Sequence, residues 1–280
     1  MEEFDYRIRW RASGIRPGGH RSSRLGGGLE FHGHVGLLNA TDPRRLDLRA
    51  SIANPNREWQ FRLYRQIGEI GVAVLADLSA SMAYAGIQAK PALLARLVRV
   101  IARSAQRRND SFSFVAADEN LREDFYLPPT RLYGAVADLA ARLEAAPLAG
   151  RSHTGLLAAA DLLAGRRKLI FLISDFHFPL AAAERLVDAL AAHDLVPLVL
   201  WDATETHEFP RRGLALLEDA ESGRRRAVWL RPGLRSRWQA AMAERRLALQ
   251  RLFLARGVAP LFVGADFSPE TLGEYFLGGA

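Results

Sequence analysis

Val72-Ala73-Val74-Leu75-Ala76-Asp77-Leu78-Ser79-Ala80-Ser81-Met82 is the stretch whose reading decides the fold. An unbroken apolar run ends in an acid and two hydroxyls at alternate positions. Such a run reads as a strand buried on both faces, the pattern of a parallel sheet covered by helices. At the carboxyl ends of these strands, side chains emerge into the crevice where open α/β sheets bind ligands. Asp77, Ser79 and Ser81 offer only oxygen, the donor set of a hard divalent cation. A strand running into a Ser-rich turn is the plainer account. The motif gains weight only if the same sheet brings further oxygens.

Lys168-Leu169-Ile170-Phe171-Leu172-Ile173-Ser174-Asp175 repeats the pattern: a second apolar strand that stops at an acid. Upstream, Gly150-Arg151-Ser152-His153-Thr154-Gly155 forms a polar, Gly-flanked loop before a helical stretch. There the Thr154 hydroxyl either caps the helix or points at a ligand. Strands at about 70–77, 111–117, 168–174, 195–201 and 258–263 alternate with helices near 90–107, 130–145, 155–164, 180–193 and 235–256. A short helix follows Pro269. Short strands are expected near 122–126 and 227–230, the latter in a polar stretch (202–233) broken by Pro210, Gly213, Gly223 and Pro232. This order predicts an α/β fold with a doubly wound, mostly parallel sheet over 67–280. Residues 1–66 read as an irregular N-terminal extension, rich in Gly and Arg, with turn signals at Pro17-Gly18-Gly19 and Gly26-Gly27-Gly28.

The 280 residues are 49% hydrophobic, ample for a sizeable core. With no cysteine, disulfides, thiolate metal sites and thiol catalysis are excluded. No apolar stretch has the length of a membrane span, and the acidic start lacks the apolar segment of a secretory signal, so a cytoplasmic location is expected. The net charge of +7 is almost all arginine. Its clusters, Arg107-Arg108, Arg166-Arg167-Lys168, Arg211-Arg212 and Arg224-Arg225-Arg226, fall at expected helix ends and turns. They form no stripe interleaved with aromatics, so nucleic acid is not an expected partner.

Enzyme readings fare poorly. Ser79 and Ser81 lack the Gly-x-Ser-x-Gly context of a hydrolase, and no Walker loop is present. The seven histidines show no zinc spacing. His153 and His177 do lie beside the expected site loops, so a hydrolase or phosphatase built on the strand-end residues is the rival reading. Lys90 is one of only two lysines. It reads as a solvated residue at a helix start, or alternatively as a contact to the loop or to a partner carboxylate.

Asp-x-Ser-x-Ser after one strand, Thr in a loop and Asp after a later strand resemble the metal-ion-dependent adhesion site of von Willebrand factor A domains. The resemblance implies that Ser79, Ser81 and Thr154 reach a divalent cation (Mg, Ca or Mn) directly, while Asp77 and Asp175 act through bound waters. Such a cation stays electrophilic and draws a partner carboxylate into its open position. It is a docking device in which nothing activates a nucleophile.

A second resemblance rests on Gly27-Gly28-Leu29-Glu30-Phe31 and on Asp42-Pro43-Arg44-Arg45-Leu46-Asp47-Leu48-Arg49-Ala50-Ser51. These are similar to the leader of a bacterial family of unassigned function, whose members couple this leader to a von Willebrand factor A-like domain and typically accompany MoxR-type AAA+ ATPases. Thr41 and Leu48 depart from that family's usual Asp and Trp. The implied role is a non-enzymatic adaptor working with a MoxR-type ATPase in protein-complex maturation or metal insertion. With His32-Gly33-His34, the wording is similar to the family's methanol-oxidation branch, which implies methanol dehydrogenase as the client. Asp42 and Asp47 could pair with Arg44, Arg45 and Arg49 within the leader, or those arginines could face an acidic partner.

Overall fold

A computed structural model describes residues 2–12, 14, 16–26, 30–40, 42–207, 213–218, 225–230 and 232–278. Gly27, Gly28, Leu29 and Thr41 of the leader motifs lie outside these residues, as do Pro210, Arg211, Arg212, Gly223 and Arg224 of the polar stretch. In chain order the strands are β1 (Pro17–Gly26), β2 (Glu30–Gly36), β3 (Gln60–Gly68), β4 (Gly71–Asp77), β5 (Ser111–Ala117), β6 (Leu127–Thr130), β7 (Lys168–Ser174), β8 (Asp194–Leu200), β9 (Gly213–Glu218), β10 (Arg225–Leu230) and β11 (Leu261–Val263). The helices are α1 (Leu48–Ala53), α2 (Lys90–Arg107), α3 (Tyr133–Ala145), α4 (Gly155–Asp161), α5 (Leu180–Ala189), α6 (Ala203–His207), α7 (Pro232–Leu254) and α8 (Pro269–Gly278).

The central sheet has six strands in the order β11-β8-β7-β4-β5-β6. All pairs are parallel except β5 with β6. The chain steps from β4 to β5 on one side and then crosses to β7 on the other, so the strand order reverses between β4 and β7. Alternation along β4 explains why its run is continuously apolar. Val72, Val74 and Ala76 join the core under α2, α3 and α8. Ala73 and Leu75 join the opposite core under α4, α5 and α7. Both faces are buried, and the sheet is doubly wound.

Helix α2 takes the expected span. Leu93, Leu94, Leu97, Val98 and Ile101 form its buried stripe, and Pro91 stands in its first turn, where a missing N–H costs nothing. Asn109 ends it in the left-handed conformation, with φ at 58°, a stop that Asn tolerates. The short strand expected near 122–126 is instead a 3-10 turn at Glu123–Phe125, and the strand follows at Leu127–Thr130. Two prolines in that strand suit an edge, where no N–H is needed on the outer side.

The leader is more regular than its composition predicts. Strands β1, β3 and β2 form an antiparallel sheet of their own, and β3 runs across position 66 almost directly into β4. Pro17-Gly18-Gly19 is the start of β1 rather than a turn. A side chain at Gly18 would fall on the backbone of Gly68 and Glu69, so the close approach of the two strands requires glycine there. Asp47 pairs with Arg62 at 2.7 Å and with His34 at 3.1 Å, while Asp42 lies 3.5 Å from Arg45. The leader acids are therefore held within the leader, with Arg62 in place of Arg49.

The extended start packs against the main body. Phe4 and Tyr6 are buried in the α2-side core, and the Phe4 N–H donates to the Ser104 hydroxyl at 2.9 Å. Glu3 and Asp5 pair with Arg107, and Arg108 also reaches Asp5. Asp110 lies beneath, buried. It accepts from the Tyr6 hydroxyl, the His20 ring at 2.7 Å and the Ile70 N–H at 2.8 Å. Burial and the Asp110 charge hold Tyr6 well above its ordinary value, so its hydroxyl stays a donor. Replacing Asp110 by Ala strands these three groups, and stability should fall by roughly 3 kcal/mol. Urea unfolding of Asp110→Ala beside the unaltered chain measures it.

Candidate functional site

The reversal of strand order places the ends of β4 and β7 side by side, the position at which an open α/β sheet forms its ligand crevice. Asp77 closes β4, and Asp175 directly follows β7. Both are fully buried. The two oxygens of Asp77 are committed: one accepts the Ser79 N–H at 2.9 Å, the other the Ser174 hydroxyl at 2.7 Å. Asp77 thereby shapes the turn that presents Ser79 and Ser81, whose hydroxyls lie 3.2 Å apart.

Ser174 also accepts the N–H of Phe176, a residue held at φ 52°, a costly conformation for a bulky side chain. From α7, Arg245 donates to the carbonyls of Phe176 and Phe178, which holds the strained turn in place.

The loop carrying Thr154 is drawn to the β4 turn through its backbone. The Ala80 N–H donates to the Gly150 carbonyl at 2.7 Å, and a side chain at Gly150 would fall on Asp118. The Thr154 hydroxyl, however, donates to the Glu119 carbonyl at 3.4 Å and accepts from the Ser152 hydroxyl at 3.3 Å. It does not cap α4. Asp77, Ser79 and Ser81 thus form one cluster through direct hydrogen bonds. Asp175 joins it through neighbouring residues, and the Thr154 hydroxyl hydrogen-bonds to none of the four.

Lys90 overturns the solvated reading of its position. Its side chain is 3% exposed, and its ammonium bridges Asp175 at 2.9 Å and Glu205 at 3.0 Å. It also reaches the Ser81 carbonyl at 3.4 Å. Glu205, at the start of the polar stretch, accepts from the His177 ring at 3.0 Å, and that ring stacks on Trp201. Nothing in the local sequence marks Glu205, because its role comes from α6 folding back over the strand ends. The scarcity of lysine was the only signal for Lys90.

The charges follow from this arrangement. Burial, then the neighbouring charge of Asp175, pushes Asp77 up to about 6. Burial acts the same way on Asp175, but Lys90 and then His177 outweigh it and hold that carboxyl below its ordinary range. Burial works against the Lys90 ammonium, yet Asp175 and Glu205 together keep it above its usual value.

Two carboxylates, Asp175 and Glu205, thus share one fixed ammonium, with Asp77 beside Asp175 and His177 at the margin. The donors fit a hard cation in kind: paired hydroxyls, with carboxylates positioned to orient them. Among the described residues no three Asp, Glu or His side chains converge as a metal site, so any such ion would depend on the hydroxyls. Among the described residues the Ser79 hydroxyl bonds to that of Ser81, and no histidine is hydrogen-bonded to either.

Lys90→Met leaves Asp175 and Glu205 buried without their cation, and should cost roughly 3 kcal/mol in chemical unfolding. Asp77→Asn removes the charge and keeps one acceptor, its Oδ1, for the Ser79 N–H, while its Nδ2 can only donate toward the Ser174 oxygen. Because the Asp77 carboxyl is raised in the fold, its ionisation opposes folding at neutral pH, and that opposition fades as pH falls through about 6. The unaltered chain should therefore gain stability relative to Asp77→Asn between pH 7 and pH 5, by roughly 1 kcal/mol. The lowered Asp175 acts oppositely, and only below its unfolded value of 3.8, outside that window. Paired unfolding curves at the two pH values measure the difference.

Comparison with known proteins adds four likenesses. An "Uncharacterized protein in moxR 3'region" of Paracoccus denitrificans is 35% identical over 95 residues, which are 34% of this chain and 90% of that relative. The crystal structure of BatB from Bacteroides thetaiotaomicron is 13% identical with a TM-score of 0.44, covering 75% of this chain and 98% of the other. An aerotolerance-related membrane protein from Bacteroides fragilis NCTC 9343 is 15% identical with a TM-score of 0.43, at the same coverage. The architecture rests on the strand order and not on these two structures. Among the described residues no helix is long and apolar enough to cross a membrane. The fourth likeness is a family profile that matches residues 56–248, more than half of the sequence, and the chain belongs to that family, described as "Protein of unknown function DUF58".

Proposed function

We propose that this chain is a von Willebrand factor A-like docking adaptor. In this reading Asp77, Ser79, Ser81, Thr154 and Asp175 hold a divalent cation whose open position takes a carboxylate from a protein partner. The observation that carries it is the pair of buried acids at the β4–β7 reversal, with the Ser79 and Ser81 hydroxyls presented beside them. Burying two neighbouring carboxylates is expensive, and Lys90 is shared between Asp175 and Glu205 rather than with Asp77. A cation at the hydroxyls relieves that imbalance. Magnesium, calcium and manganese all suit such oxygens.

For Thr154 to act as a ligand, its hydroxyl exchanges the long bond to the Glu119 carbonyl for the ion. Bound there, the ion supplies Lewis acidity toward an incoming carboxylate. The chain's own residues do the positioning: Asp77 fixes the Ser79 turn, Lys90 holds Asp175, and Gly150 brings the Thr154 loop against the β4 turn.

The partner we assign is a MoxR-type AAA+ ATPase, in a role in maturing a protein complex or inserting its metal. The support is the relative's place in a moxR 3' region together with the family's leader motif. No feature of the site selects a client, so methanol dehydrogenase rests on resemblance alone.

The test is capture of a purified MoxR-type ATPase by the immobilised chain in magnesium or calcium. Capture should fall at least tenfold in EDTA and in a Ser79→Ala/Ser81→Ala variant whose circular dichroism is unchanged. Equal capture under all these conditions would refute the adaptor reading. Turnover of generic phosphate or carboxylate esters that disappears in the same variant would instead support the rival hydrolase.

A further inference from the structure

One end of the leader sheet carries an apolar tip. Three segments meet there on Gln60, the first residue of β3. Gly36 of β2 is its partner in register, the Asp47 N–H donates to its carbonyl at 2.8 Å, and its own N–H donates to the Ser51 hydroxyl at 2.8 Å. Leu37 and Leu38 follow Gly36, and Trp59 precedes Gln60. Leu48 and Ile52, four residues apart, share a face of α1. All five side chains are exposed, Leu38 by 99% and Ile52 by 85%. Single exposed hydrophobics are ordinary, but five large ones gathered at one end of a sheet mark an interaction surface. Arginines stand among them. Arg44, Arg49 and Arg57 have no ion pair among the described residues, whereas Asp42 and Asp47 are held within the leader, which leaves Glu58 as the unpaired acid at the tip. Arg57 is also left-handed, at φ 54°, so this turn keeps an arginine where Gly or Asn would sit more easily.

We infer that this tip seats the chain on the surface of an anionic lipid bilayer, with the five apolar side chains in the boundary between headgroups and acyl chains and the three arginines on lipid phosphates. Shape and charge select that occupant. Side chains as exposed as Leu38 and Ile52 stand out from the surface and offer no walls to a peptide. A folded partner would need a matching hollow for each of them, while a fluid lipid layer yields to any outline. Aliphatic side chains with a tryptophan and arginines beside them are the composition of segments that lie in a membrane interface. Unpaired arginine adds attraction to anionic headgroups, about 1 kcal/mol for each residue near the surface. The contact is peripheral: no span is involved, and the cation site takes no part in it.

The test is sedimentation of the full chain, in EDTA, with vesicles of phosphatidylcholine alone or of phosphatidylcholine with about one third phosphatidylglycerol. The anionic vesicles should bind at least tenfold more tightly, and the Arg44→Gln/Arg49→Gln/Arg57→Gln variant should lose that preference. Leu38→Glu/Ile52→Glu, at two exposed positions, should lose vesicle binding with circular dichroism unchanged. Tryptophan emission should shift to the blue on anionic vesicles, and Trp59→Phe should remove the shift although the other four tryptophans remain. Equal binding to both compositions, binding that persists in Leu38→Glu/Ile52→Glu, or a shift that survives Trp59→Phe would overturn the inference. If vesicles leave the unaltered chain in solution, while self-association or ATPase capture is lost in Leu38→Glu/Ile52→Glu, the tip serves a protein and the lipid inference fails.

Discussion

Two carboxylates buried side by side at the reversal of strand order are the constraint around which the upper edge of the sheet is built. Neither acid could be there without local compensation, since a buried unpaired charge costs several kcal/mol. The compensation is unequal. Asp175 receives the Lys90 ammonium, whereas Asp77 receives only hydrogen bonds, from the Ser79 N–H and the Ser174 hydroxyl. Asp77 is left as the acid whose charge the fold tolerates least, which is why it is raised while its neighbour is lowered.

That inequality shapes the surroundings. Lys90 reaches Asp175 only because α2 begins directly after the β4 turn, and Glu205 meets Lys90 only because α6 closes over β8. The left-handed Phe176 follows from the Ser174 hydroxyl serving both Asp77 and the Phe176 N–H. Arg245 of α7 then secures the carbonyls that this turn would otherwise leave exposed. One electrostatic problem at two strand ends thus recruits α2, α6 and α7, which are distant in sequence.

The central sheet was legible because its strands are buried on both faces, and short continuous apolar runs such as Val72–Ala76 and Leu169–Ile173 arise chiefly where helices cover a sheet from both sides. Helix α2 was legible for a similar reason, its apolar stripe repeating from Leu93 to Ile101 over about two and a half turns. The leader sheet was not. Its strands carry Gly, Arg and His at positions where apolar alternation would signal a strand, and β1 is bulged in two places. At the site, Asp77, Ser79 and Ser81 were readable because a single turn brings them together. Lys90, Glu205 and Ser174 act across the fold, and no local spacing encodes a partner 85 or more residues away, as Lys90 and Asp175 are. Thr154 illustrates the converse: its loop lies against the β4 turn through Gly150, while its hydroxyl bonds to Glu119 and Ser152 instead of to that turn.

Lys90 also bears on how such a site would be regulated. A divalent cation held by the Ser79 and Ser81 hydroxyls would share its anionic surroundings with an ammonium already seated on Asp175. The two positive charges would repel, and the chain alone would hold the ion less tightly than the acid count implies. A partner carboxylate entering the open position adds the missing negative charge, so ion and partner would each strengthen the binding of the other. A site neutralised in advance by lysine would bind its ion and partner reversibly, which suits the docking role proposed above.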